Sequence, residues 1–211
     1  MRTHYINELE AVRQNLVEMG QTAISLLAEM EHVLADPNPG PPARASELEA
    51  QTDHQHRLIH DQCLNLIALQ APVAGDARLL TGILDAIVDL ELIGDYAYEI
   101  VALTSQLDQK PPSPTSDHIG EAAGKVREVL SVAIEAWRNK DRAQALSVRP
   151  LVAPIRAECE NLYSTFSQFV STAEGGTSYV ELMLISKHLE RILRHAECVA
   201  DAATDAVGGT A

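Results

Sequence analysis

Leu9, Val12, Leu16, Met19, Ala23, Leu26, Met30 and Leu34 recur at three- and four-residue steps, which puts one apolar stripe along a helix over residues 3–35. The run stops at Asp36-Pro37-Asn38-Pro39-Gly40-Pro41-Pro42, where four prolines and a glycine cannot continue a helix. A stripe of that length has to be buried against other helices. The composition agrees, since aromatics make up only 4 % of the chain and Ala, Leu, Ile and Val dominate. A sheet-rich fold would be richer in aromatic and β-branched residues.

Five more helices are predicted by the same reading. The second runs over 43–69 and ends near Pro72, and the third over 73–107. Asp108-Gln109-Lys110-Pro111-Pro112-Ser113-Pro114-Thr115-Ser116-Asp117 then reads as an interdomain linker, with Ser116 or Asp117 available to cap the fourth helix over 118–139. The fifth runs from the 140s to Thr172, and the sixth, after Glu174-Gly175-Gly176-Thr177, from Ser178 to Val207, with a fraying tail at 208–211. Pro150 and Pro154 fall early in the fifth helix, so its regular part is expected to begin near Leu151.

Three helices, a proline-rich linker and three helices suggest an internal repeat. Leu90-Glu91-Leu92-Ile93-Gly94-Asp95-Tyr96-Ala97 lines up with Leu189-Glu190-Arg191-Ile192-Leu193-Arg194-His195-Ala196, each within the third helix of its half. The expected fold is all-α: two tandem, pseudo-symmetric three-helix bundles, over residues 1–108 and 116–211.

A net charge of −14 argues against a nucleic-acid or anionic-lipid surface and suits a basic protein partner or a bound cation. No window supplies the roughly 18 apolar residues of a membrane span, and the first residues enter an amphipathic pattern without a signal core. Cys63, Cys159 and Cys198 are odd in number and far apart, which points to free thiols in a reducing cytoplasm.

Projected at 100° per residue, Leu80, Ile83, Leu84, Ile87, Leu90, Gly94, Tyr98 and Val101 share one arc of the third helix, and Thr81, Asp85, Asp89 and Glu99 form its solvated side. Glu91 falls inside the apolar arc and Asp95 at its margin. A carboxylate on the packing side must be neutralised by a cation or a proton. Glu49 and Asp53 on the second helix have the same four-residue spacing, so antiparallel packing of the two helices could gather four carboxylates. Without a thiolate, such a patch favours Mg²⁺ or Mn²⁺, with iron or zinc as options.

Acid pairs four apart also occur at Asp85/Asp89, Asp95/Glu99, Glu197/Asp201 and Asp201/Asp205, and a solvated face accounts for most of them. His54 points to a different face from Asp53; His56 and His60, four apart, could bind a metal weakly, but exposed or partly buried helix histidines are the reading preferred. The single Glu-x-x-His, Glu29-Met30-Glu31-His32, is one too few for ferritin-like di-iron chemistry, and no phosphate-loop, nucleophile-elbow or zinc-hydrolase motif is present. Trp137 is expected to pack between the fourth and fifth helices.

Leu90-Glu91-Leu92-Ile93-Gly94-Asp95-Tyr96-Ala97-Tyr98-Glu99-Ile100 resembles the PhoU signature Leu-Glu-Arg-Ile-Gly-Asp-x-Ala-x-x-Ile. The stretch from Leu66 through Pro72 to Leu79 is similar to that family's second corner, and Glu8 to Gly20 to its opening helix. The second half is similar more loosely, through Tyr163 and His188-Leu189-Glu190-Arg191-Ile192. The resemblance implies two three-helix bundles with paired acid-x-x-x-acid metal motifs. The first-half motif falls on Glu49, Asp53, Glu91 and Asp95.

In the second half the corresponding positions are Arg156, Glu160, Glu190 and Arg194. Two acids have become arginines, so a salt-bridge network is expected there and a metal in the first half only. The resemblance further implies a non-catalytic regulator of phosphate uptake and phosphate-starvation signalling. It would act as an adaptor between a phosphate transporter ATPase and a sensor histidine kinase, meeting the membrane only through those partners, and a homodimer stays open. The alternatives are a carboxylate-bridged metalloenzyme and a purely structural dimerising module.

Overall fold

In the computed structural model the described residues are 2–35, 43–70, 72–107, 115–170 and 178–207. They form α1 (Arg2–Ala35), α2 (Ala43–Gln70), α3 (Ala74–Thr104), α4 (Thr115–Asn139), the short α5 (Arg142–Leu146), α6 (Arg149–Val170) and α7 (Ser178–Val207). There is no strand among the described residues, and none of their helices is long and apolar enough to cross a membrane. The proline-rich break at 36–42, the linker up to Pro114, the end of the fifth predicted helix beyond Val170, the break at 174–177 and the tail at 208–211 lie outside them.

The boundaries differ from expectation in two places, each with a local cause. α4 is already running at Thr115, so Ser116 and Asp117 lie inside it, and Asp117 sits in the first turn, where a carboxylate suits the positive end of the helix. The fifth predicted helix is split. After α4, Lys140 takes a left-handed φ of 56°, and the Asp141 carboxylate accepts from Ala143 N at 2.8 Å and Gln144 N at 3.1 Å, which starts α5. A turn at Ser147–Val148 separates it from α6. Pro150 is the second residue of α6, where an amide N–H would have no helical partner anyway, and only Pro154 removes an interior bond, on an exposed side.

α1, α2 and α3 pack on one another as one bundle, and α4, α6 and α7 as the second. The bundles share one continuous core. Its most extensive helix–helix contact is α3 against α7, with α1 against α4 beside it. The repeat is visible in burial: Leu90, Ile93 and Ala97 and their counterparts Leu189, Ile192 and Ala196 are all inaccessible to solvent.

Glycines allow the bundles to approach. A Cβ on Gly20 of α1 would overlap Ile134 Cδ1 of α4 and lie 2.6 Å from its Cγ1. One on Gly82 of α3 would lie 3.1 Å from Ala206 Cβ and 3.2 Å from the Ala202 carbonyl of α7.

Polar side chains fasten the same interface. Arg13, buried on α1, donates to the carbonyls of Trp137 and Arg138 at the end of α4, where a cation faces the negative end of the helix. Glu10 pairs with Arg13 and accepts from Lys140 Nζ at 2.8 Å. The Arg13 guanidinium, followed by Lys140 and Gln14, holds the Glu10 carboxyl down at about 2, against an opposing effect of burial.

Two assignments to faces need correction. Asp89 is not on a solvated side: its Oδ1 lies 2.7 Å from His195 Nδ1 of α7, because α3 is covered by a helix of the other bundle as well as by α1 and α2. Trp137 is fully buried, donates its indole N–H to Val199 O of α7 at 3.0 Å and faces α3 near Gly82, so it serves the bundle interface and not a seam between α4 and α6.

Candidate metal centre

The three-residue connection between α2 and α3 turns the chain back on itself, so the acid pairs on the two helices run antiparallel. Thr52, on the buried side of α2 next to Asp53, has its hydroxyl bonded to Leu48 O at 2.9 Å. Its methyl group faces Gly94, where a Cβ would come within 3.5 Å. That contact brings the edges of the two helices together, and the residues flanking it, Asp53 and Asp95, meet across it.

Glu49, Asp53 and Asp95 each offer a carboxylate oxygen, and these three atoms lie within 4.8 Å of one another. Glu49 and Asp53 are partly buried, and Asp95 stands on the open side of the group. Burial, then the charges of Asp53 and Asp95, raises the Glu49 carboxyl above the ordinary carboxylate range. Burial, then Glu91, Asp53 and Glu99, does the same to Asp95. The cluster therefore carries a repulsion that a cation or a proton would relieve.

The fourth predicted member stands apart. Glu91 is one turn before Asp95, and its Oε2 lies 3.1 Å from His56 Nδ1 instead of joining the other three. Its side chain is 32 % exposed, so it is not the fully inward acid that the helical projection suggests, and the group nearest its carboxylate is an imidazole. The acid spacing does not single out His56, although a signal is present: it lies three residues beyond Asp53 and seven beyond Glu49, on the same stripe of α2. His54 and His60 are exposed, as expected.

The second half does not build the predicted network. Arg156 pairs with Glu197 at 3.1 Å, reaching across from α6 to α7, and Glu190 pairs with Lys187 of its own helix. Among the described residues, Glu160 and Arg194 form no ion pair with the other members, and both are exposed. The reason is register: α7 offers Arg156 an acid two turns further on, so the guanidinium is satisfied without Glu190. The four residues still gather no carboxylate cluster.

The donor set of the first half is three carboxylates at one point with no sulfur, and two of them are already pressed toward protonation. It fits a hard, oxygen-preferring cation.

A family model described as the PhoU domain matches residues 16–104 and again 119–203. The chain belongs to the PhoU family. The first PhoU match contains all four acids and His56; the second contains Arg156, Glu160, Glu190 and Arg194. A phosphate-specific transport system accessory protein PhoU homolog from Synechocystis is 29 % identical over 99 % of this chain and 93 % of its own length. The homolog of the same name from Pseudomonas aeruginosa is 28 % identical over 99 % of this chain and 89 % of its own. The crystal structure of PhoU from Pseudomonas aeruginosa superposes with a TM-score of 0.90 at 25 % identity, covering 98 % of this chain and all of that one. The phosphate transport system regulatory protein PhoU from Streptococcus pneumoniae, at 18 % identity and a TM-score of 0.83, shares the fold.

Proposed function

We propose that this PhoU-family chain is a non-catalytic, cytoplasmic regulator of phosphate uptake and phosphate-starvation signalling. It is an adaptor that holds a divalent or trivalent cation in its first half and docks on basic surfaces of a phosphate transporter ATPase and a sensor histidine kinase. The names of its relatives support the link to a phosphate-specific transport system. The net charge of −14 supports docking to basic partners. The observation that carries the metal is the convergence of Glu49, Asp53 and Asp95 within 4.8 Å, with Glu49 and Asp95 both raised.

In this reading Glu49 and Asp53 from α2 and Asp95 from α3 supply the oxygens, and the Thr52–Gly94 contact sets their separation. The ion neutralises the cluster and ties α2 to α3, giving the first bundle a fixed surface to present. Pull-down of the transporter ATPase and of the kinase under phosphate-replete conditions tests the adaptor role. Wild type is expected to capture both, and a folded protein that repeatedly captures neither overturns it.

A further inference from the structure

α3 and α7, which share the largest contact between the bundles, run antiparallel: Asp89 meets His195, while Glu99, further along α3, meets His188. Two imidazoles two turns apart on α7 thus reach one aromatic ring of α3. Tyr96 stacks with His188 at 5.4 Å and with His195 at 5.8 Å between ring centroids, and the Arg191 guanidinium carbon lies 5.3 Å from the same ring.

The two histidines are held differently. His195 Nδ1 is hydrogen-bonded to the Asp89 carboxylate at 2.7 Å, so a proton on that ring has a partner of opposite charge. His188 Nδ1 is buried without a hydrogen-bond partner, and its Nε2 lies 3.3 Å from Glu99 Oε2. Protonation puts a hydrogen on both nitrogens, whichever carried one before, and Nδ1–H then has no acceptor. Glu99 compensates little, because its side chain is 53 % exposed against 13 % for His188 and water screens its charge. Burial, opposed by Glu99 and reinforced by Arg191, holds His188 below the ordinary imidazole range. Tyr96 and Glu99 face it from α3 and Arg191 from its own helix; among the described residues no charge on α4, α5 or α6 acts on it.

We propose that His188 is a proton-operated release at one end of the α3–α7 seam: its protonation parts the last turns of α3 from the first turns of α7. The other end, where Gly82 packs on Ala202 and Ala206, stays closed. The setting of one bundle against the other then depends on pH, whether or not an ion sits on the carboxylates. The closed seam resists the proton and the open seam accepts it at about 6.5, so closure is fully stable above that value and weakens as pH falls through it. At about pH 5.5 opening becomes up to about tenfold more favourable.

Hydrogen–deuterium exchange of the full chain at about pH 7.5 and about pH 5.5, with protection corrected for intrinsic rates, reads the release. In wild type, peptides from 96–104 and 178–188 should lose protection by more than about twofold and up to about tenfold on acidification, and those from 74–86 and 199–207 should change less than about twofold. His188→Phe keeps a ring against Tyr96 without a titrating nitrogen and should show no loss at either end. No loss in wild type, an equal loss along all of α7, or a loss that persists in His188→Phe would overturn the proposal. An NMR titration of the wild-type imidazoles needs no variant: His188 titrating below about 6.5 supports the release, and at or above that value overturns it.

Discussion

Replacing Asp95 by asparagine should make the metal-free protein more stable and the metal-loaded protein less so. Asp95 shares its site with the oxygens of Glu49 and Asp53 at no more than 4.8 Å. Two unit charges at that distance repel by about 0.9 kcal/mol at the dielectric of water and about 3.5 kcal/mol at an effective value of 20. The site is partly open, so the lower figure governs and salt reduces it further. The Asp95→Asn change removes two such contacts, a gross relief of about 2 kcal/mol and about 1 kcal/mol after screening. For a chain of this size that is a rise in Tm of about 2–4 °C in chelator.

The sign with pH follows from the raised Asp95 carboxyl. Wild type carries the penalty while Asp95 is ionised and loses it as pH falls through the raised pKa, so the gap between the two proteins closes by about pH 4. Added Mn²⁺ reverses the order. At a hundredfold excess over its Kd it stabilises wild type by about 2.7 kcal/mol and the variant by much less. Calorimetry in chelator and in Mn²⁺ measures both arms. An Asp95→Asn protein that melts lower in chelator, or that gains as much from metal as wild type does, would refute the reasoning.

Three further outcomes concern the bundle interface. Arg13→Met keeps the aliphatic stem but leaves the Trp137 and Arg138 carbonyls without their charged donor; it should cost about 3 kcal/mol and lower Tm by about 6–12 °C, read by calorimetry. Glu10, held at about 2, contributes stability that is fully present above the unfolded carboxyl value of about 4.3 and is lost as pH falls through 2, so Glu10→Gln should flatten the acid limb of a urea-midpoint profile between those values. Gly20→Ala presses a methyl group into the fully buried Ile134 and should destabilise by about 1–2 kcal/mol, the overpacking cost exceeding the gain in helix propensity. Ile134→Ala in the same chain should remove that cost, a coupling of at least about 1 kcal/mol in a double-mutant cycle.

Much of the fold is legible in the sequence because long helices announce themselves by period and prolines punctuate them. The stripe from Leu9 to Leu34 and the run from Ser178 to Val207 need no tertiary information. What a helical projection cannot supply is the number of neighbours. Asp89 looks solvated if α3 has one buried side, and in fact faces His195 because a helix from the other bundle covers that side too. Trp137 reads as belonging to the wrong seam for the same reason.

At the candidate site, Glu49, Asp53 and Asp95 are legible from spacing and resemblance, since antiparallel packing of α2 on α3 sets their meeting. Glu91 is placed by the same logic but is claimed by His56, whose three-residue step from Asp53 is a weaker signal than the four-residue step of the acids. In the second half, arginine at two of the four positions implies ion pairing, and Arg156 does pair, but with Glu197. That choice depends on side-chain reach across α6 and α7, which spacing within each helix does not encode.

The central claim is that the α2–α3 carboxylates form a cation site, and a crystal structure of the Mn²⁺-soaked protein with anomalous diffraction tests it most directly. An anomalous peak within bonding distance of Glu49, Asp53 and Asp95, absent in a crystal of Asp95→Asn, is the predicted result. Strong anomalous density elsewhere on the molecule, with those three carboxylates bare, would contradict it.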